Sequence, residues 1–187
     1  MSEGPDPSSA RALGISKTLL VYAALFLGGA AALAYETAWG RMLHRVFGVG
    51  DQAVATVLAA FFLGLGLGSA LGGKISARFA RPARAYALLE MTIGAWALLS
   101  IVLVPEIHHV YAALGPDLGL PALTALRLAL ALAILLPPTI LMGATLPVVL
   151  GAVVRRDAHW SGVATRLYAV NTLGAVAGAG FTGLYTL

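Results

Sequence analysis

Apolar positions fill this chain in five long runs, separated by short stretches where charges and prolines gather. Residues 18–35 carry no charge, and their helical pattern continues through Trp39 toward His44. Residues 52–73 form a second uncharged run, and residues 86–104 a third, broken only by Glu90. Residues 128–154 and 167–187 are the fourth and fifth. A helix of roughly 20 apolar residues crosses the hydrocarbon core of about 30 Å, and lipid tolerates no unpaired backbone, so each run predicts a spanning helix. The expected fold is all-α: a polytopic transmembrane bundle with spans at about 18–44, 52–73, 86–104, 124–154 and 165–187. A flexible polar tail at 1–17 precedes it. The fourth run, about 40 Å long as a helix, exceeds what the core needs. Pro137-Pro138 lies inside it and Pro147 follows, so it reads as one long bent helix rather than two re-entrant halves. The bend serves either bundle packing or a hinge lining a cavity.

Composition sharpens the class. Of 187 residues, 59% are hydrophobic and 11% charged, against roughly 45–50% and about 25% in soluble domains. So little polar material cannot coat a water-soluble globule, which excludes an ordinary cytosolic enzyme, a disordered chain and a disulfide scaffold. With no cysteine, thiolate metal sites and cysteine nucleophiles are excluded as well. The net charge of +4 reads as membrane orientation rather than nucleic-acid binding. Arg11 and Lys17, the group Lys74, Arg78, Arg81 and Arg84, and the group Arg155, Arg156 and Arg166 share one side if five helices alternate. Arg41, Arg45 and Arg127 are left for the other. The positive-inside bias then places the N-terminus in the cytoplasm and the C-terminus outside. A cleaved signal peptide ending near Ala32-Leu33-Ala34 is the rival reading of the first span; apolar patterning that runs past the site favours a retained helix.

Two kinds of residue stand out inside the runs. Gly64, Gly68 and Gly72 on the second helix, and Gly174 and Gly178 on the fifth, recur at the spacing that lets another helix approach closely. Gly28 and Gly29 narrow the first helix. The segment Gly64-Leu65-Gly66-Leu67-Gly68 mimics a nucleotide-binding loop but lies within an apolar helix, so no cofactor is expected. Ionisable groups at membrane depth are the candidate functional residues. Glu36 lies about 18 residues, roughly 27 Å, into its span, a depth that Arg127 reaches from the other end. An intramembrane charge pair, or a proton or cation site at Glu36, is expected there. Glu90 lies about 9 Å past Arg84 and reads as a cytoplasmic clamp with Arg78 or Arg81. Arg41, His44 and Arg45 recur at helical spacing and extend the first helix into the outer headgroups. His108-His109 beside Glu106 reads as part of a solvated outer loop at 105–121 rather than a metal site. Trp39, Trp160, Tyr86 and Tyr111 are placed as interfacial anchors, and Asn171 as a cross-helix hydrogen-bonding group.

Several stretches together carry a family resemblance. They are Ala32-Leu33-Ala34-Tyr35-Glu36-Thr37-Ala38-Trp39, Val57-Leu58-Ala59-Ala60-Phe61 through Gly72-Gly73-Lys74, Leu135-Leu136-Pro137-Pro138-Thr139, Met142-Gly143-Ala144-Thr145-Leu146-Pro147, and Arg166-Leu167-Tyr168-Ala169-Val170-Asn171-Thr172-Leu173-Gly174-Ala175. The chain resembles the membrane domain of bacterial spermidine-synthase-like fusion proteins, itself similar to half of a major-facilitator transporter. Gly73 and Arg78 fit a transporter loop signature in which Ala77 replaces the acid. The resemblance implies a bacterial inner (plasma) membrane location. The family's aminopropyltransferase residues find no matching positions here, so no enzymatic activity is expected. Five helices against a half transporter's six read as a shortened relative or as a bundle against which something else packs. Two functions follow. The first is a non-catalytic accessory or scaffold subunit whose glycine faces dock on another membrane protein or on a second copy. The alternative is a half-transporter module that moves a polyamine or other small cation after dimerisation.

Overall fold

The computed structural model describes residues 7–48, 50–154 and 160–185. The side chains of Arg11, Lys17 and Trp160, and residues Arg155 and Arg156 altogether, lie outside what is described. Five helices follow one another: α1 (Pro7–Phe47), α2 (Asp51–Ile75), α3 (Pro82–Leu114), α4 (Leu120–Val154) and α5 (Trp160–Tyr185). Each is long and apolar enough to cross a membrane, so the chain is a multi-pass membrane protein of five candidate spans.

Local chemistry sets the ends. Gly48 closes α1 with φ +88°, its N–H donating to the His44 carbonyl at 2.9 Å, the left-handed stop that glycine adopts without penalty. Asp51 places an acid in the first turn of α2, where the helix dipole favours it. Pro82 opens α3 at the turn where a missing N–H costs least.

Two expectations change. Winding begins at Pro7, ahead of the uncharged run. The loop expected at 105–121 is mostly helix, because α3 passes through Pro105 and ends at Leu114. The face explains it: Val104 and Ile107 are buried and Tyr111 half-buried, one stripe at helical spacing that outweighs a single lost backbone bond. His108 and His109 therefore stand on exposed helical positions. The fourth span is one continuous helix through all three of its prolines.

Packing follows the glycines. On α2, Gly68 and Gly72 lie against the backbone of Ile140 and Ala144, and Gly64 against the Thr139 side chain; Gly143 of α4 answers against Leu65. Both partners advance four residues together, so α2 and α4 run parallel. In the same way Gly174 and Gly178 of α5 meet the backbone of Phe26 and Ala30, and Gly29 of α1 meets that of Asn171. The bundle is thus two parallel pairs, α1 with α5 and α2 with α4, and α3 lies chiefly on α4. Contact between the α1–α5 pair and the other three helices is sparse by comparison. Where they do meet, the buried core gathers: Trp39, Leu43 and Phe47 of α1, Val57 and Phe61 of α2, Val104 and Ile107 of α3, Ile134 and Leu135 of α4. Those residues belong to the half of the bundle nearest the α1–α2 and α3–α4 connections.

Candidate functional site

Next to that core, toward the other end of the bundle, the seam between the two groups holds a cavity of about 240 Å³. All five helices contribute to its wall, with Gly28 from α1, Ser69 from α2, Glu90 from α3, Thr145 from α4 and Asn171 from α5 among the lining residues. Among the described residues, Glu90 is the one carboxyl there. One helical turn before it, Tyr86 occupies the same face of α3, and both look toward α1. The Tyr86 hydroxyl donates to the Ala24 carbonyl at 2.8 Å. A methyl group at Gly28 would lie 2.5 Å from that hydroxyl and 2.7 Å from Glu90 Oε1. Glycine is what lets α1 come this close to the carboxyl.

This arrangement replaces the expected clamp. Arg78 and Arg81 are exposed at the end of the bundle, whereas Glu90 turns inward, and among the described residues it makes no ion pair with either. The reason is geometric: α3 starts at Pro82, and its first two turns carry Tyr86 and Glu90 onto the α1 side.

The expected pair of Glu36 and Arg127 is likewise not formed. Arg127 Nε donates to the Tyr111 hydroxyl at 3.0 Å, and its guanidinium lies 5.8 Å from that ring's centroid. Tyr111 in turn stands edge-on to Phe47, centroids 5.2 Å apart. A span ending at Val104 leaves Tyr111 in a loop; the longer α3 delivers it to Arg127 instead. Glu36 is half-buried on α1 and, among the described residues, meets no hydrogen-bond or ion-pair partner. It does not line the cavity.

Other expected positions take different roles. Trp39 is 2% exposed, so it is a core residue rather than an interfacial anchor; its ring stacks on Tyr35 at 5.4 Å and its indole N–H donates to Ser100 Oγ at 2.8 Å. Arg41 reaches the Thr182 carbonyl at 3.4 Å, and His44 Nε2 is buried without a partner among the described residues. The Asn171 side chain makes no cross-helix hydrogen bond among the described residues and borders the cavity. Pro137 and Pro138, expected as a hinge, lie inside one continuous helix. Pro138 supplies no N–H to the Ile134 carbonyl one turn earlier, and Trp96 of α3 fills the gap, Nε1 donating to that oxygen at 2.9 Å. The hydroxyl of Thr139 donates to Leu135 at 2.6 Å.

Gly28 and Tyr86 stood in the sequence with other expected roles, a narrow waist and an interfacial anchor, and Trp96 did not stand out at all. The spacing of Tyr86 and Glu90, four residues apart on one face, was the available signal for Tyr86. Nothing local marked Trp96 as the partner of a carbonyl on the next helix, 38 residues away. Compared with family models, curated proteins and solved structures, the chain matches none.

Proposed function

We propose that this protein binds a small cation at Glu90 and passes it across the membrane. The observation that carries the reading is the placement of Glu90: a carboxyl in a cavity bordered by all five helices, with no ion-pair partner among the described residues. An acid at membrane depth is costly and persists where it serves a pathway or a counter-ion. The bundle supports this, since its cavity lies at the seam of two helix groups, bordered by the buried core at Phe61, Ile93 and Met142. Such a seam is where one group can rock against the other.

One support of the scaffold reading was a set of glycine faces free to dock. Gly64, Gly68, Gly72, Gly174 and Gly178 are instead occupied within the chain, so that support is gone and the transporter-like alternative gains. The resemblance to spermidine-synthase-like membrane domains makes spermidine a natural first probe, with tetramethylammonium as a monovalent comparison.

Purified protein in proteoliposomes is expected to take up at least one of these cations. Glu90→Gln is expected to reduce uptake at least tenfold, while Glu36→Gln leaves it within about twofold. Uptake that survives Glu90→Gln, or none by the unaltered protein with any cation offered, would overturn the reading.

A further inference from the structure

A second opening adjoins the first and shares Glu90 with it. It is a cleft of about 950 Å³ between the N-terminal halves of α1 and α3, reaching α4 at Val149 and α5 at Val163. Its volume lies within the roughly 300–1,000 Å³ of small-molecule sites, whereas the central cavity holds a headgroup at most. The walls are apolar, with Val21 and Ala24 on one side and Ala83 and Ala87 on the other. Leu20, 70% exposed at its edge, opens it to the lipid-facing surface. Among the described lining residues, charge appears at Arg81 at the mouth and at Glu90, beside the Tyr86 hydroxyl, at the inner end.

We infer that the cation is an amphipathic organic monocation, its apolar body in this cleft and its positive group at Glu90. The inference rests on the reading of Glu90 as the cation's acceptor and adds the class of molecule. Three features select it. The apolar lining gains from a hydrophobic body and offers nothing to a hydrated ion. A single carboxyl at the inner end matches a single positive charge. Arg81 at the mouth opposes any second positive charge along the body, which disfavours an extended polyamine with ammonium groups at both ends. Access from the lipid-facing surface suits a solute that dissolves in the bilayer. Glu90 belongs to the walls of both openings, so the charged group can pass to the central cavity without losing its counter-ion.

The test is binding of tetraphenylphosphonium, tetramethylammonium and spermidine to the purified full chain in detergent. Tetraphenylphosphonium is expected to bind at least tenfold tighter than either of the others. Ala87→Trp fills the cleft and leaves Glu90 in place; it is expected to weaken tetraphenylphosphonium at least tenfold and tetramethylammonium by less than twofold. Glu90→Gln is expected to weaken both. Should Ala87→Trp not survive purification, Val21→Asn makes the same test through polarity at an exposed position. Glu90-dependent binding of the small cations without preference for tetraphenylphosphonium would overturn this inference and leave the proposed function standing. Binding of no cation that depends on Glu90 would overturn both. A bound phospholipid that tetraphenylphosphonium fails to displace, or a dimer broken by Ala87→Trp, would show another occupant and overturn the inference alone.

Discussion

Glycines of the same helix have opposite duties in this protein, and the difference is readable one residue at a time. A side chain at Gly68 would run into the backbone of Ile140, while one at Gly66 meets nothing within 4 Å. Backbone cannot swing aside as a flexible side chain can, so α2 and α4 must separate to admit even a methyl group at position 68. Overpacking of this kind costs about 1–3 kcal/mol and sometimes more. We expect Gly68→Ala to lower the unfolding free energy in detergent by about 2 kcal/mol or more. Gly66→Ala is expected to leave it unchanged or raise it by up to about 1 kcal/mol, from helix propensity alone. Equal effects at the two positions would count against the parallel α2–α4 contact. Trp39 teaches the complementary lesson. An indole near the end of an apolar run looks like an interfacial anchor, yet Ser100 on α3 gives its N–H a partner at 2.8 Å, and burial then follows.

At the scale of elements, the unusual feature is a double proline that leaves a transmembrane helix intact. Lipid offers no water to a carbonyl deprived of its N–H, so a spanning helix keeps an internal proline only where another group steps in. For Ile134 that group is the Trp96 indole of α3, at 2.9 Å. Such a bond also ties α3 to α4 at mid-membrane. Trp96→Phe is expected to destabilise the protein by about 1 kcal/mol, the usual scale for interhelical hydrogen bonds in membranes. Restoring the backbone donor with Pro138→Ala should shrink that loss to under about 0.5 kcal/mol, a coupling that a double-mutant cycle measures directly. Additive effects of the two changes would mean that the indole and the proline are independent. The same logic accounts for α3 itself, where Pro105 does not end the helix because Ile107 and Tyr111 still have neighbours to pack on.

For the molecule as a whole, each full crossing puts successive connections on opposite sides of the membrane. The absence of cysteine makes single-cysteine labelling clean. Arg78→Cys, between α2 and α3, and Asp117→Cys, between α3 and α4, are expected to react with an impermeant thiol reagent from opposite compartments. The basic cluster Lys74, Arg78, Arg81 and Arg84 predicts that position 78 is the cytoplasmic one. Labelling of both from one side would remove a span and with it the five-helix cavity. If position 78 is cytoplasmic, the cavity half of the bundle faces the cytoplasm and the packed core faces outward. That is the asymmetry a transport cycle requires of one of its two states.

Sequence by itself determined the solvent, the number of helices and which positions are too small to keep helices apart. Each of these depends on local properties: apolar run length against bilayer thickness, and glycine spacing against helical pitch. Fold class and approximate spans were therefore legible, as were Glu90 and Glu36 as rare acids in lipid. Partner choice was not. Glycine stripes announce a close neighbour without saying whose helix it is, and here α2 chose α4 and α5 chose α1. Depth along a helix does not fix its rotation, so Glu36 and Arg127 share no contact while Glu90 faces Gly28. Only the assembled bundle decided which acid lines a cavity, because that depends on how five rigid cylinders turn their faces toward one another.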